Sequence, residues 1–256
     1  MAETFALSSL VVPGTFIRVR AEGLISVGGI SAGNVGIVGT ASKGFGETHI
    51  LSDYAEARDT FGDYDALSAG TLNLTRGLEQ LYRNGARIVF ARALDPTVTD
   101  GTGQDDYERE FNELAKDDVN ILVAPELSTA EALAVFGPVL ETAENAGKDM
   151  IAIVGCDASV VADIVAQVTT NDRIIMTSPG IQAFDAAAST DVSLNGSYSA
   201  AAVGGLISTL TPQSSPTNKV LPGVVKLAQR FSYGEKVTLL QGRVAVLEER
   251  GAVRVA

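Results

Sequence analysis

The sequence predicts an α/β fold: a largely parallel central sheet with flanking helices, plus an extended N-terminal arm and a β-hairpin at the C-terminal end. Three observations predict it. Between residues 34 and 177, short apolar runs alternate with amphipathic stretches of 11 to 18 residues. Strands joined by helices of that length need crossover connections, and crossovers build a parallel sheet. The first run, NVGIVGTA at 34–41, is apolar without alternation, as a strand buried on both faces requires. The last residues, 243–256, place two short apolar runs around Glu249-Arg250-Gly251, a hairpin signal.

Composition fits this class. The chain has 256 residues, enough for one large domain or two modest ones, with 46% hydrophobic and 20% charged residues. Trp is absent and aromatics are 6%, so the core must come from Ala, Val, Ile and Leu. A net charge of -12 argues against direct nucleic-acid binding, which calls for a basic surface. One cysteine, Cys156, excludes a disulfide framework or a cysteine metal cluster within the chain. The N-terminus carries Glu3 and no basic stretch, so it does not read as a secretory signal. No apolar run reaches the roughly 18 residues of a membrane span, so no membrane insertion is expected.

The elements follow in order. Residues 1–20 read as an extended arm, with Phe16, Ile17 and Val19 alternating against Arg18 and Arg20. Ser52-Asp53 signals the cap of a short helix stopping at Gly62, and a helix from about Ser68 to Arg83 ends at Asn84-Gly85. Residues 87–94 return as a strand. Residues 105–117 form an acidic helix, and 120–124 a strand. Ser128 with Glu131 makes a capping box opening a helix to about Ala146. Residues 149–154 and 173–177 read as strands around a helix at 158–168. Residues 179–196 read as a loop, and 198–210 as a small-residue helix. In 214–223, SSPTNKVLPG, Pro216 and Pro222 each remove a donor. The segment therefore reads as a stiff turn into the final strands.

Catalytic motifs are weak. Gly33, Gly36 and Gly39 lie three apart and inside a strand, not in a G-x-G-x-x-G loop between strand and helix. Close backbone packing explains them better than a nucleotide. Residues 39–44 lack the Gly-Lys-Ser/Thr order of a phosphate loop. His49 is the single histidine and reads as a strand-edge residue. Cys156 follows a strand but has no basic neighbour to activate it, and reads as a small buried side chain. Ser178-Pro179-Gly180 is not a nucleophile elbow. Of Asp157, Asp163 and Asp172, at least one reads as a cap or loop carboxylate. The seven acids in 105–118 read as a solvated face. No nucleophile, base and orienter come together, so no enzyme and no cofactor or metal is expected. The alternative is a small α/β enzyme binding a nucleotide or flavin at the strand ends.

Five stretches in order carry a resemblance: VVPGTFIRVR (11–20), SAGNVGIVGTASKGFGETHILSDYAEARDTFGDY (31–64), GLEQLYRNGARIVFARAL (77–94), NILVAPELST (120–129) and NKVLPGV (218–224). Together they resemble the contractile tail sheath family of myophages and related injection systems. The resemblance implies a structural subunit that polymerises as stacked six-fold rings around a tail tube. Contraction of those rings would drive the tube through an envelope. It implies arms that add strands to neighbouring subunits. Val11, Val12, Phe16, Ile17 and Val19 are then the candidate arm residues, and Val244, Val246, Val253 and Val255 the candidate accepting strands. Lys226, Arg230 and Lys236 are the candidate tube-facing charges. Implied partners are copies of itself, the tail tube protein, and baseplate and tail terminator proteins. The implied location is the virion tail, after assembly in the host cytoplasm. On this reading 1–20 is the arm, and 21–104 and 105–196 are two sheath-like α/β portions. Residues 197–256 open a C-terminal portion that family members continue with a further helix, sheet and arm.

Overall fold

The computed structural model describes residues 33–98 and 101–256, so the arm residues from Val11 to Val19 lie outside the described residues. The first strand, β1 (Val35–Thr40), is buried at all six positions. Alternation along a strand sends successive side chains to opposite faces. Val35 and Ile37 accordingly join one core, and Val38 joins the other.

Around β1 the sheet is laid from β2 (His49–Leu51), β3 (Val89–Leu94), β4 (Ile121–Val123), β5 (Ile151–Gly155), β6 (Ile174–Ser178), β10 (Val244–Arg250) and β11 (Ala252–Val255). Its order is β11-β10-β6-β5-β4-β1-β3-β2. The six strands from β10 to β3 run parallel, and an antiparallel strand closes each edge. Val35 is in register with Val89 on one side and Ile121 on the other.

Helices cover both faces. On one lie α2 (Leu74–Arg83) and α6 (Gly196–Ser208), with Leu74, Leu78 and Leu81 set against the small residues Ala200–Val203. On the other lie α3 (Gln104–Leu114), α4 (Thr129–Asn145), α5 (Val161–Ala166) and α7 (Tyr233–Gln241). Phe111 and Phe136 meet there edge to face, with centroids 4.9 Å apart. Such a pair adds about 0.5–1.5 kcal/mol beyond the area it buries. The caps follow the sequence: Asp53 accepts from the Glu56 N–H at the start of α1 (Tyr54–Phe61), and Ser128 and Glu131 form the capping box of α4.

Three readings are corrected. The helix expected from Ser68 begins at Leu74. Before it, the Asp65 carboxylate accepts from the Thr71 and Leu72 N–H groups, and Gly70 takes a φ of 62°, which folds the chain into a turn. The helix expected over 158–168 spans only Val161–Ala166, because Val160 is still extended. The loop expected over 179–196 is an antiparallel hairpin, β7 (Ile181–Asp185) with β8 (Thr190–Leu194), joined by β9 (Lys226–Leu227) into a second sheet. Only Ile181, Asp185 and Leu194 in its strands are buried, so the alternating apolar signal is faint. Tertiary contacts, above all those of Asp185, set the pairing.

Candidate assembly surface

An α/β sheet of this kind receives ligands at the carboxyl ends of its strands, in the crevice where successive crossovers leave in opposite directions. Here that crevice lies between β1 and β4. Glu126, just after β4, fills it. Its carboxylate accepts from the Thr40 N–H at 2.6 Å, the Thr40 hydroxyl at 2.8 Å and the Tyr107 hydroxyl at 2.8 Å. Burial pushes this carboxyl above the usual range, against the pull of those bonds. The space belongs to the carboxylate: a Cβ on Gly39 would lie 2.4 Å from Glu126 Oε1. The glycine run in β1 therefore admits a side chain of the protein itself, not a phosphate.

The next strand end is closed by backbone. A Cβ on Gly155 would lie 1.8 Å from the Gly196 carbonyl, so the start of α6 sits directly on the end of β5. Cys156 is buried beneath it, and burial pushes its thiol up to about 12. A thiol so placed is not a nucleophile at neutral pH. Asp157 accepts from the Thr129 N–H at the first turn of α4 and from the Gln167 side chain. Burial opposes its ionisation, but these bonds prevail and hold it below the usual range. Ser178 is fully buried at the end of β6, and His49 lies on the edge strand β2 against the Phe61 ring.

A third carboxylate ties the second sheet to α2. Asp185, fully buried in β7, faces Arg76 of α2 at 3.2 Å, and Arg76 is itself 2% exposed. Burial would raise the Asp185 carboxyl, but the Leu67 and Ala188 N–H groups and the Arg76 guanidinium hold it below the usual range. Arg76 also stacks over the Tyr64 ring at 4.2 Å.

The C-terminal hairpin is different. Beside it, the segment from Val225 to Lys236 leaves a cleft of about 360 Å³, lined by Val225, Phe231, Lys236, Leu247 and Glu248 among others. Val225 is 89% exposed. Lys236 bonds Glu248 at 2.7 Å and holds its carboxyl below the usual range. Glu249 accepts from the Leu227 N–H at 2.8 Å, which caps the free side of β9, and pairs with Arg230. The outer edge of β11 carries three backbone bonds: Asn218 N–H to the Val255 carbonyl at 2.7 Å, Val255 N–H to the Lys219 carbonyl at 3.1 Å, and Leu221 N–H to the Val253 carbonyl at 2.8 Å. The segment expected as a stiff turn thus runs along this edge as a short partner strand.

The residues singled out from sequence gather in part. Val244, Val246, Val253 and Val255 are each 3% exposed or less, and β10 is paired on both sides, with β6 and β11. Arg230 and Lys236 line the cleft, and Lys226 is exposed on β9 beside it. Sequence reading missed Glu126 and Arg76, which carry no motif. It also missed α7, although Ser232 and Glu235 form a capping box that announces it. In 105–118, Asp106, Glu110 and Glu113 form ion pairs within the chain.

No protein-family model matches the sequence, and a search of the curated proteins gave no match. Solved structures do match. The helical sheath of the anti-feeding prophage, in its contracted state, superposes with a TM-score of 0.65 at 16% identity, over 96% of this chain and 67% of that one. A chain of the six-fold symmetrised baseplate of the same particle gives 0.67 at 18%, with the same coverage. A sheath tail protein from Listeria innocua gives 0.66 at 13%, over 88% of this chain and 68% of that one. The chain has the fold of contractile sheath proteins, and it spans about two thirds of the length of these three.

Proposed function

We propose that the chain is a structural subunit of a contractile tail sheath. Copies polymerise as stacked six-membered rings around a tail tube, and contraction of the sheath drives the tube through the host envelope. The observation that carries this reading is the superposition over 96% of the chain on a sheath and a baseplate subunit. The closed carboxyl end supports it: the crevice an α/β enzyme would use is filled by Glu126, and the β5 end by α6. The role is mechanical, and no cofactor is needed.

The arm of residues 1–20 carries Val11, Val12, Phe16, Ile17 and Val19 to a neighbouring subunit, and the region of Val244, Val246, Val253 and Val255 receives such a strand. Lys226, Arg230 and Lys236 lie nearer the tube protein. Baseplate and terminator proteins bound the polymer, which forms in the host cytoplasm and ends in the virion tail. Negative-stain microscopy of purified protein, or of particles containing it, tests the reading. Ringed, helical polymers are expected. Monomers alone would overturn it. Charge reversal at Lys226, Arg230 and Lys236 is expected to weaken co-assembly with the tube. Undiminished co-assembly would remove these residues from that contact.

A further inference from the structure

We infer that Asn218–Val220 is a releasable strap that shields the outer edge of β11 from strand addition by a second copy of this chain. The identity of the incoming strand rests on the sheath-subunit reading; the strap rests on its own geometry. An open strand edge is a template for pairing with another chain. The outward groups of Val253 and Val255 are such a template, and Asn218, Lys219 and Leu221 occupy them. Pro216 and Pro222 bracket the segment, and neither can extend the ladder by donating a bond.

The two ends of the strap are held unequally. Leu221 is 1% exposed and belongs to the core, and the next glycine, Gly223, donates its N–H to Asn84 Oδ1 at 3.1 Å. Upstream, Asn218 and Lys219 are exposed and Val220 is 42% exposed. That half is held by its bonds to Val255 and by Arg254 Nη1 donating to Asn218 Oδ1 at 3.0 Å. Asn218 also sits at a φ of 64°, a left-handed conformation that Asn tolerates and that ends the extended run of the segment. Opening the strap from this end exposes little apolar surface. An incoming strand would restore the same backbone bonds without the left-handed residue. Segments with few buried contacts and solvent-exposed bonds open first.

A cross-link tests the strap. Val220 and Arg254 face each other in a non-hydrogen-bonded antiparallel pair, whose Cα atoms lie close enough for a disulfide. The full chain carrying V220C and R254C is compared oxidised and reduced, by sedimentation and negative-stain microscopy. The oxidised form is expected to give at least tenfold less polymer than the reduced form, which has lost the Arg254–Asn218 bond and should polymerise at least as readily as the unmodified chain. Equal polymer from both forms would overturn the strap. Hydrogen exchange on the dispersed chain separates this from failure of the sheath reading. The Asn218 and Val255 amides are expected to exchange at least tenfold faster than those of β5, and Asn218→Pro should accelerate Val255 further. Fast exchange in a chain that never polymerises would leave the strap standing and sink the sheath reading. Exchange as slow as in β5 would overturn the strap whatever the assembly state.

Discussion

At the carboxyl end of the sheet, Glu126 and the start of α6 close the ends of β1 and β5, and the Thr40 and Tyr107 groups that Glu126 bonds are buried. At the β11 edge, Asn218 and Lys219 occupy the outward backbone groups from solvent-exposed positions. Both regions are satisfied, but by groups with different freedom to leave. The first is fixed, because withdrawing a buried partner strands the groups it leaves behind. The second is exchangeable, because water or another strand can take the same bonds. Within one fold, the region where α/β enzymes do chemistry is closed by groups that cannot leave cheaply, and the β11 edge is covered by groups that can.

The largest expected effect breaks the fixed side. Arg76→Leu should cost about 3–5 kcal/mol in urea unfolding, because it leaves Asp185 buried without its cation. A loss under about 1 kcal/mol would mean that the interior is less fixed than the comparison holds. Next, Glu126→Ala should cost about 1–3 kcal/mol by leaving Thr40 and Tyr107 unpaired.

Glu126→Gln tests the same site by pH. Burial raises the folded carboxyl, so its neutral form is favoured, and the stability it confers is complete below the ordinary value of 4.5 and lost as pH rises through the folded one. Stability of the original chain relative to Glu126→Gln should therefore fall as pH rises above 4.5. Asp185 has the opposite sign: its folded carboxyl is lowered, so its contribution is present above 3.8 and lost as pH falls through the folded value. Asp185→Asn should accordingly lose least, relative to the original chain, in acid. A parallel pH response of the two variants would contradict the assignment.

On the exchangeable side, effects on stability are small. Arg254→Ala should cost about 0.5 kcal/mol, since its bond to Asn218 is exposed, yet it should speed exchange at the Val255 amide. Arg230→Ala, which breaks the largely exposed pair with Glu249 beside the cleft, should stay within about 1 kcal/mol. A larger loss from either would place this region with the fixed one.

Much of the fold was legible because its signals are local. The unbroken apolar run of β1, the Ser128–Glu131 box and the turn at Gly251 each act within a few residues. The hairpin at 181–194 was not legible, because its strands carry Thr, Asp and Ser and are held by Arg76 from more than a hundred residues away. Glu126 was equally silent. A glutamate after Pro125 looks like any loop carboxylate until the fold brings Thr40 and Tyr107 to it. The place of 214–223 was half legible: its prolines showed stiffness, but pairing with β11 is a contact across more than thirty residues.

The most direct test of the account is cryo-electron microscopy of particles containing this chain. The account predicts six-fold rings of the chain stacked helically around a tube, with the Glu126 crevice closed in every subunit. A single ring without helical stacking, or a ligand seated between β1 and β4, would contradict it.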